Sequence, residues 1–415
     1  MTWLSLAFRN LLRNARRSAT TIAAVALGYA AVNIFGGFAS YMFASIRVAH
    51  IHEQGNGHVQ IWKKGARQYG GSDPGAYLLS AAEFQEIREF AEKDSRVTIT
   101  AGMLEVKGNL DYDGIPAFFL ARAMKPSELS AMQEGSRYMQ DRDGSGHFEG
   151  EPLTDDAPAS IGVAGGLAEN LKLQIGADVV LMAPTVQGQM NAIDAHVAQI
   201  VSTNAEVLNN RYLYLPLELA QALYDTDGVS CARILLHDRA QTDAFTADLS
   251  RHFQDREWEV IPWDKFSDLY ARTKRMFDII FGLVFAIIIT IVTMSVLNTI
   301  GMAVVERTRE IGTLRALGLK RPGVIRLFGI ESALLGLIGA VIGLILTVTF
   351  SLAIDAIEPL WEPPVTSNPV VLQIFLVPPV LIASFALLVA FTFLAAILPA
   401  RRAAWNGIVD SLGHV

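Results

Sequence analysis

The sequence predicts an α-helical membrane protein with four transmembrane helices and a large mixed α/β extracytoplasmic domain between helices one and two. Three observations lead there. Of 415 residues, 51% are apolar and only 18% charged, less polar than a soluble chain of that size. Four charge-free runs, residues 18–46, 279–305, 332–354 and 363–400, each exceed the ~20 residues a helix needs to cross hydrocarbon. Residues 47–278 hold 22 Lys and Arg against 34 Asp and Glu, too polar for a bilayer and long enough for a folded domain. That stretch carries −12 of a total −7, leaving +5 for the rest. The overall charge therefore gives no footing for nucleic acid as a partner. The single Cys231 permits no internal disulfide.

Residues 1–17 contain Arg9, Arg13, Arg16 and Arg17 and no acid. Trp3, Leu4, Ala7, Phe8, Leu11, Leu12 and Ala15 recur at three and four residues, which predicts an amphipathic elbow helix along the cytoplasmic membrane surface. An amphipathic start to one long helix fits the same spacing. Transmembrane helix 1 is placed at 18–46. Its length is about twice that of a signal peptide's apolar region. Basic residues resist translocation. The arginine-rich N-terminus, the 306–331 loop and the 401–415 tail that opens with Arg401 and Arg402 are thus cytoplasmic. The acidic loop at 355–377 and the domain at 47–278 lie outside.

Within 47–278, Gly57 to Trp62 is a strand candidate. Ser80 followed by Glu83 is a capping box opening a helix. Residues 97–106 and 115–123 form a hairpin around the Asn109 to Gly114 turn. The Gly/Asp/Glu-rich stretch near 136–158 reads as a subdomain break. A β-rich piece at 161–202 and helices at 217–224 and 238–253 close the domain. Three features resemble sites without the required spacing. Asp141, Asp143 and Ser145 copy half of a calcium loop, but Pro152 stands where the bidentate Glu belongs. His50, His52 and His58 lack zinc spacing. Trp258 and Trp263 read as packing residues. Transmembrane helices 2, 3 and 4 are placed at 279–305, 332–354 and 378–400, the last starting at Pro378, where a missing N–H costs nothing. Val370 to Val377 precedes it as an outer-leaflet extension.

No G-x-S-x-G, H-E-x-x-H, C-x-x-C or G-x-x-x-x-G-K-[ST] occurs, so the chain reads as a non-catalytic subunit that does not itself hydrolyse ATP. The informative segment is ERTREIGTLRALGLKRPGV at 306–324. It predicts a short amphipathic helix with Ile311, Leu314 and Leu317, stopped by Gly318 and Pro322. Such a helix suits a groove on a partner protein, or lies passively on lipid. Ser332, Gly336, Gly339, Ala340 and Gly343 put small residues on one face of helix 3, for packing within the chain or against a second copy. Asn298 reads as interhelical glue.

The run Glu306 to Gly318, with Glu331 and the glycines after it, resembles the signature of FtsX-like, MacB-type ABC transporter permeases. The format is closest to the LolC/LolE lipoprotein-releasing permeases. The 161–178 stretch is similar to an outer-domain segment of the same relatives. The resemblance implies a coupling helix resting on a separate ABC ATPase present in two copies, with Glu306, Arg307, Arg309, Glu310, Ile311, Leu314, Arg315, Leu317, Lys320 and Arg321 as its contact residues. It implies no cofactor bound by this chain, ATP and Mg being held by the partner. Further implied partners are a second or homologous permease, membrane lipids and a periplasmic carrier or adaptor. The implied setting is the bacterial inner membrane. The implied function is mechanotransmission, in which ATP hydrolysis moves the periplasmic domain to extract or export a lipoprotein, lipid or other amphiphile. An FtsX-like scaffold that activates a cell-wall hydrolase and a MacB-like efflux permease fit the same resemblance.

Overall fold

The computed structural model describes residues 3–13, 15–134, 148–201, 209–266, 268–361, 370–405 and 407. They fall into two units: Met1–Phe43, Thr273–Pro359 and Leu372–Val415 make a helical unit, and Ala44–Arg272 with Leu360–Val371 an inserted one. The chain opens with helix α1, Trp3–Arg13, and helix α2, Ala15–Val48. Asn14 between them lies outside the described residues. A π-helical turn, Ala49–Glu53, extends α2.

In the inserted unit, strand β1 (Val59–Lys63) leads to helix α3 (Ala81–Glu92). Both halves of the capping box form: Ser80 N–H donates to Glu83 Oε2 at 2.8 Å, and Glu83 N–H to Ser80 Oγ at 3.3 Å. Such a cap contributes about 1 kcal/mol. Strands β2 (Val97–Tyr112) and β3 (Ile115–Met124) form the hairpin. Their ladder runs to Tyr112 opposite Ile115, so the turn is Asp113-Gly114 alone. Both turn residues have positive φ, 53° and 77°. This twist matches that of the flanking strands, which allows pairing beyond the six-residue turn that the composition suggests.

Helix α4 (Pro126–Gln133), strands β4 (Phe148–Gly150) and β5 (Ser160–Ala164), helix α5 (Gly165–Leu171), strands β6 (Asp178–Pro184), β7 (Met190–Val201) and β8 (Tyr212–Tyr214) and helix α6 (Leu217–Tyr224) follow. Strand β9 (Cys231–Leu236), helix α7 (Thr242–His252) and strand β10 (Trp258–Pro262) complete the unit. The pairings β2–β3, β3–β8, β8–β5, β5–β7, β7–β6 and β6–β2 close a six-stranded ring. Its core includes Leu104, Phe119, Ile161, Val163, Leu181, Val197 and Leu213, joined by Leu219 and Leu223 of α6.

The first half of β2 instead joins β9, β1 and β10. There period-2 alternation feeds two cores. Val59, Ile61, Ala232 and Ile234 meet Ile87 of α3 and Phe245 of α7, while Trp62, Cys231 and Leu235 share the opposite core with Met103 and Trp263. Both faces of β9 are covered, so all six of its residues are buried. The two halves of the unit therefore meet along β2. Of the polar 136–158 stretch, 136–147 and with them Asp141, Asp143 and Ser145 lie outside the described residues, and β4 extends the sheet at the edge of β7.

The helical unit adds α8 (Asp268–Glu306), α9 (Thr308–Ala316), α10 (Arg321–Ile357) and α11 (Pro378–Trp405). Four helices, α2, α8, α10 and α11, are long and apolar enough to cross a membrane. Between α10 and α11, strands β11 (Leu360–Trp361) and β12 (Val370–Val371) pair with each other. Residues 370–377 thus lead into α11 as a strand and an irregular segment. Helix α11 starts at Pro378 but continues through Pro399 to Trp405. Proline there forfeits one ladder hydrogen bond, which burial of Ala400, Ala403 and Ala404 in the helix core offsets.

Helix α2 touches each of the other three spans. A Cβ on Gly339 would stand 2.6 Å from Val25, and one on Gly343 2.6 Å from the Ala26 carbonyl oxygen. Only glycine permits α10 and α2 to approach so closely. Thr21 Oγ1 lies 2.6 Å from Thr299 Oγ1, tying α2 to α8. Ser384 Oγ donates to Asn33 Oδ1 at 3.1 Å and Tyr29 Oη to the Leu381 carbonyl at 3.0 Å, tying it to α11.

Candidate functional site

Helix α9 sits between two membrane-length helices and is closed at its end by a Schellman motif. Leu319 N–H donates to the Leu314 carbonyl at 3.0 Å and Gly318 N–H to that of Arg315 at 3.0 Å. Gly318 supplies the φ of 101° this needs. The chain then re-enters a helix with Pro322 in its first turn.

The predicted contact residues separate into four groups. Arg307 and Ile311 point inward and are each 6% exposed. Arg307 donates through Nη1 to Glu331 Oε2 at 3.3 Å and through Nη2 to the Asn10 carbonyl at 3.4 Å. Glu331, 3% exposed, is thereby joined through one guanidinium to α1 and the start of α9. Ile311 enters the core that holds Leu11, Val324, Ala403 and Ala404. These two side chains are buried within their own chain and seat the helix, unlike the outward-facing members of the expected contact set.

Glu306 and Glu310 form the second group. Arg17 donates to Glu306 at 2.9 Å and Arg13 to Glu310 at 3.0 Å. The acids are four residues apart, as are the arginines, and they pair in reverse order. Both bridges are exposed and screened by solvent, so they orient the helix more than they stabilise it. In the third group, the Arg321 guanidinium lies 5.0 Å from the centre of the Trp405 ring, which Arg401 also faces at 5.3 Å. The fourth group projects outward: Leu314 is 43% and Leu317 81% exposed, beside exposed Arg309 and Lys320 and half-buried Arg315. Two exposed leucines, held on a seated helix amid basic side chains, form an apolar patch with a charged rim.

Ser332, Gly336, Gly339, Ala340 and Gly343 are all buried inside this chain. Gly336 abuts Thr392 of α11, and Gly339 and Gly343 abut α2. Ser332 Oγ donates to the Thr392 carbonyl at 2.5 Å. Asn298, by contrast, is exposed on α8. The interhelical bonding expected of it is made instead by Thr299 and by Ser295, whose Oγ lies 3.4 Å from Thr21. One residue on a helix turns the face by about 100°, which is the whole difference between these neighbours.

In the inserted unit, His58 Nδ1 accepts the Leu236 N–H at 3.1 Å, and His52 Nδ1 bonds the Met132 carbonyl at 3.0 Å. Burial lowers the His58 imidazole to about 4, so the ring is neutral. Among the described residues, no group of three or more His, Cys, Asp or Glu side chains is placed to hold a metal. Burial pushes the Cys231 thiol up to about 12, which leaves it unreactive. Trp263 is buried and Trp258 half-buried in the unit's two sheet-face cores. The seating arrangement had one legible trace in the sequence, the matched spacing of Glu306/Glu310 and Arg13/Arg17. The Arg307–Glu331 pair had none.

Two family models cover the chain. Residues 18–252 match the MacB-like periplasmic core domain, and residues 282–408 match the FtsX-like permease C-terminal region. An uncharacterized ABC transporter permease of Methanocaldococcus jannaschii is 22% identical over 370 residues, 85% of this chain and 84% of that one. The lipoprotein-releasing system transmembrane protein LolC of Neisseria meningitidis is 27% identical over 231 residues, and the chain spans about half the length of that relative, 54%. The macrolide export ATP-binding/permease protein MacB of Bordetella avium is 29% identical over 177 residues, 42% of this chain and 25% of that one. Among solved structures, the periplasmic region of MacB from Actinobacillus actinomycetemcomitans is 10% identical with a TM-score of 0.35, covering 51% of this chain and 91% of that one.

Proposed function

We propose, from the premise that this chain belongs to the family of FtsX-like ABC transporter permeases with a MacB-like periplasmic core domain, that it couples a separate ATPase to motion of its inserted domain. One observation carries this reading: the outward Leu314 and Leu317 on a helix seated by Arg307 and Ile311. A docking helix transmits force only if it is fixed to its own protein more firmly than its anchor is exposed. Here the anchor is apolar and the seat is a buried ion pair. Two ATPase copies, holding ATP and Mg, push on α9 in the cytoplasm, and α2 and α8 carry the displacement to the periplasmic domain. The positive flanks of the spans, and the acidic loop between α10 and α11, support this orientation, with both termini inside an inner membrane.

A second permease copy is the other proposed partner. Helix α8 is the least buried of the four spans, with 11% of its most apolar window inside the fold. Ile287, Ile291, Met294 and Met302 form an exposed row at helical spacing, and exposed Asn298 lies in it. A polar side chain in such a row is better satisfied by a partner helix than by lipid. The cargo class proposed is an amphiphile such as a lipoprotein or lipid, since Lol-type format and a large periplasmic domain accompany each other here. Activation of a cell-wall hydrolase and small-molecule efflux use the same motion and differ in what the periplasmic domain holds. The test is reconstitution. The purified chain alone is expected to show no ATP turnover, and turnover by the candidate ATPase is expected to change several-fold when the chain is added. Turnover that ignores the permease would overturn the coupling reading.

A further inference from the structure

Helix α1 shows three strips around its circumference. Ala7 and Leu11 are buried, 0% and 6% exposed, within the helical unit. The next strip carries Phe8 and Leu12, 51% and 63% exposed. The third carries Arg9 and Arg13, continued by Arg16 at the start of α2. Residues 1–17 hold four arginines and no acid. Because α2 enters the membrane a few residues later, α1 must lie within reach of the headgroups.

An exposed apolar strip beside an exposed basic strip, on a helix fixed by its third side, matches the cross-section of a leaflet: acyl chains below, phosphates above. The nearby cytoplasmic charges reinforce it. Arg309, Lys320, Arg321, Arg401 and Arg402 are exposed, whereas of the acids Glu331 is buried with Arg307 and Glu306 and Glu310 already receive Arg17 and Arg13. Among the described residues the unmatched charge on this face is positive, which an anionic surface outside the chain would complement.

We propose that α1 is a docking surface for anionic phospholipid, with Phe8 and Leu12 among the acyl chains and Arg9, Arg13 and Arg16 on the headgroup phosphates. Arg13 has two claimants, the lipid phosphate and Glu310 of α9 at 3.0 Å. Leaflet charge thereby bears on the helix that the preceding section assigns to the ATPase, a consequence that rests on that assignment. The lipid surface itself does not.

The test uses the full-length chain in nanodiscs of phosphatidylcholine with increasing phosphatidylglycerol, and counts retained phosphatidylglycerol by native mass spectrometry. The variant is Arg9→Gln with Arg16→Gln, both exposed and neither in a salt bridge among the described residues. Wild type should retain phosphatidylglycerol in preference to phosphatidylcholine, and the preference should fall as salt rises. The variant should lose about thirtyfold in affinity, as expected for two arginines at an anionic surface. Phe8→Ser with Leu12→Ser should weaken retention of both lipids alike, because that strip reads chains and not charge. Equal retention of the two lipids by wild type, or an unaltered preference in the arginine variant, overturns the proposal. So does unchanged lipid preference with loss of the ATPase from the complex, which would assign the basic strip to an acidic protein surface. ATP turnover is read separately. If lipid preference behaves as expected and turnover ignores phosphatidylglycerol, the coupling assignment fails and the lipid surface stands.

Discussion

The Arg307–Glu331 pair offers the sharpest test of how α9 is held. Both side chains are nearly water-free, at 7% and 4% exposure. Glu331→Leu leaves a guanidinium buried with, among the described residues, only the Asn10 carbonyl at 3.4 Å to accept from it. Removing one member of a buried pair costs ~3–5 kcal/mol. The two contacts here, 3.3 and 3.4 Å, are long, which places the expected loss near the lower end, about 3 kcal/mol. Arg307→Met should cost somewhat less, because the Asn10 side chain still hydrogen-bonds the buried carboxylate. Combining Arg307→Met with Glu331→Leu removes both charges together, and buried pairs replaced by apolar groups are often neutral. The double variant should therefore be no worse than either single one, a coupling of at least about 3 kcal/mol within the cycle. The assay is reversible unfolding of the detergent-solubilised chain, followed by a probe placed on α9. Single variants that each lose less than about 1 kcal/mol and simply add would show that the pair does not seat the helix.

Other consequences follow from the same geometry. Gly343→Ala, whose new carbon would meet the Ala26 carbonyl oxygen at 2.6 Å, should cost ~1–3 kcal/mol, whereas Gly301→Ala, with nothing within 4 Å, should be neutral to stabilising in the same unfolding assay. His58 titrates near 4 folded against 6.5 unfolded, so its contribution is fully present above pH 6.5 and is lost as pH falls toward 4. The loss should reach about 3 kcal/mol, and a melting series of His58→Asn should show a flatter acid limb. Asn298→Leu should lower permease self-association roughly threefold, the size of an average interhelical hydrogen bond, as read by dimer fraction in detergent. A cysteine at Ser72 should react with an impermeant thiol reagent added outside intact cells and one at Thr313 should not, with buried Cys231 silent in the background; labelling at Thr313 would invert the orientation.

What could be read from the sequence was what local physics decides. The spans need only length and apolarity. The Ser80–Glu83 box needs three residues of spacing, and Gly318 is the left-handed stop that a Schellman motif requires. The hairpin was legible, although its turn proved two residues long because Asp113-Gly114 by itself supplies the twist. Ring closure was not legible. β2 pairs with β9, β3 and β6 along one sixteen-residue strand, and no local periodicity reveals that a strand changes partner midway. The candidate site divides the same way. Helical spacing identified Ile311, Leu314 and Leu317 as one apolar set but could not say that Ile311 faces in and Leu317 out, since the set spans more than one face. Pairing of Arg307 with Glu331 joins residues 24 positions apart, and like-charged residues nearby made each equally eligible, whereas only the matched four-residue spacing hinted that Arg13 and Arg17 meet Glu310 and Glu306. Asn298 drew attention because it is polar, yet its neighbour Thr299 makes the bond.

The central claim is that Leu314 and Leu317 are the anchor through which the ATPase grips this permease. Leu314→Ala with Leu317→Ala tests it with little risk to folding, since both side chains are exposed, 43% and 81%. The measurement is co-purification of the ATPase with the solubilised permease, alongside permease-dependent ATP turnover. Truncating a desolvated anchor typically costs ~2 kcal/mol or more of binding, a loss of roughly thirtyfold in affinity. The double variant is expected to keep wild-type unfolding behaviour, release its ATPase and lose the turnover response. A double variant that retains both partner and response would contradict it, and the engine would then have to contact the permease elsewhere.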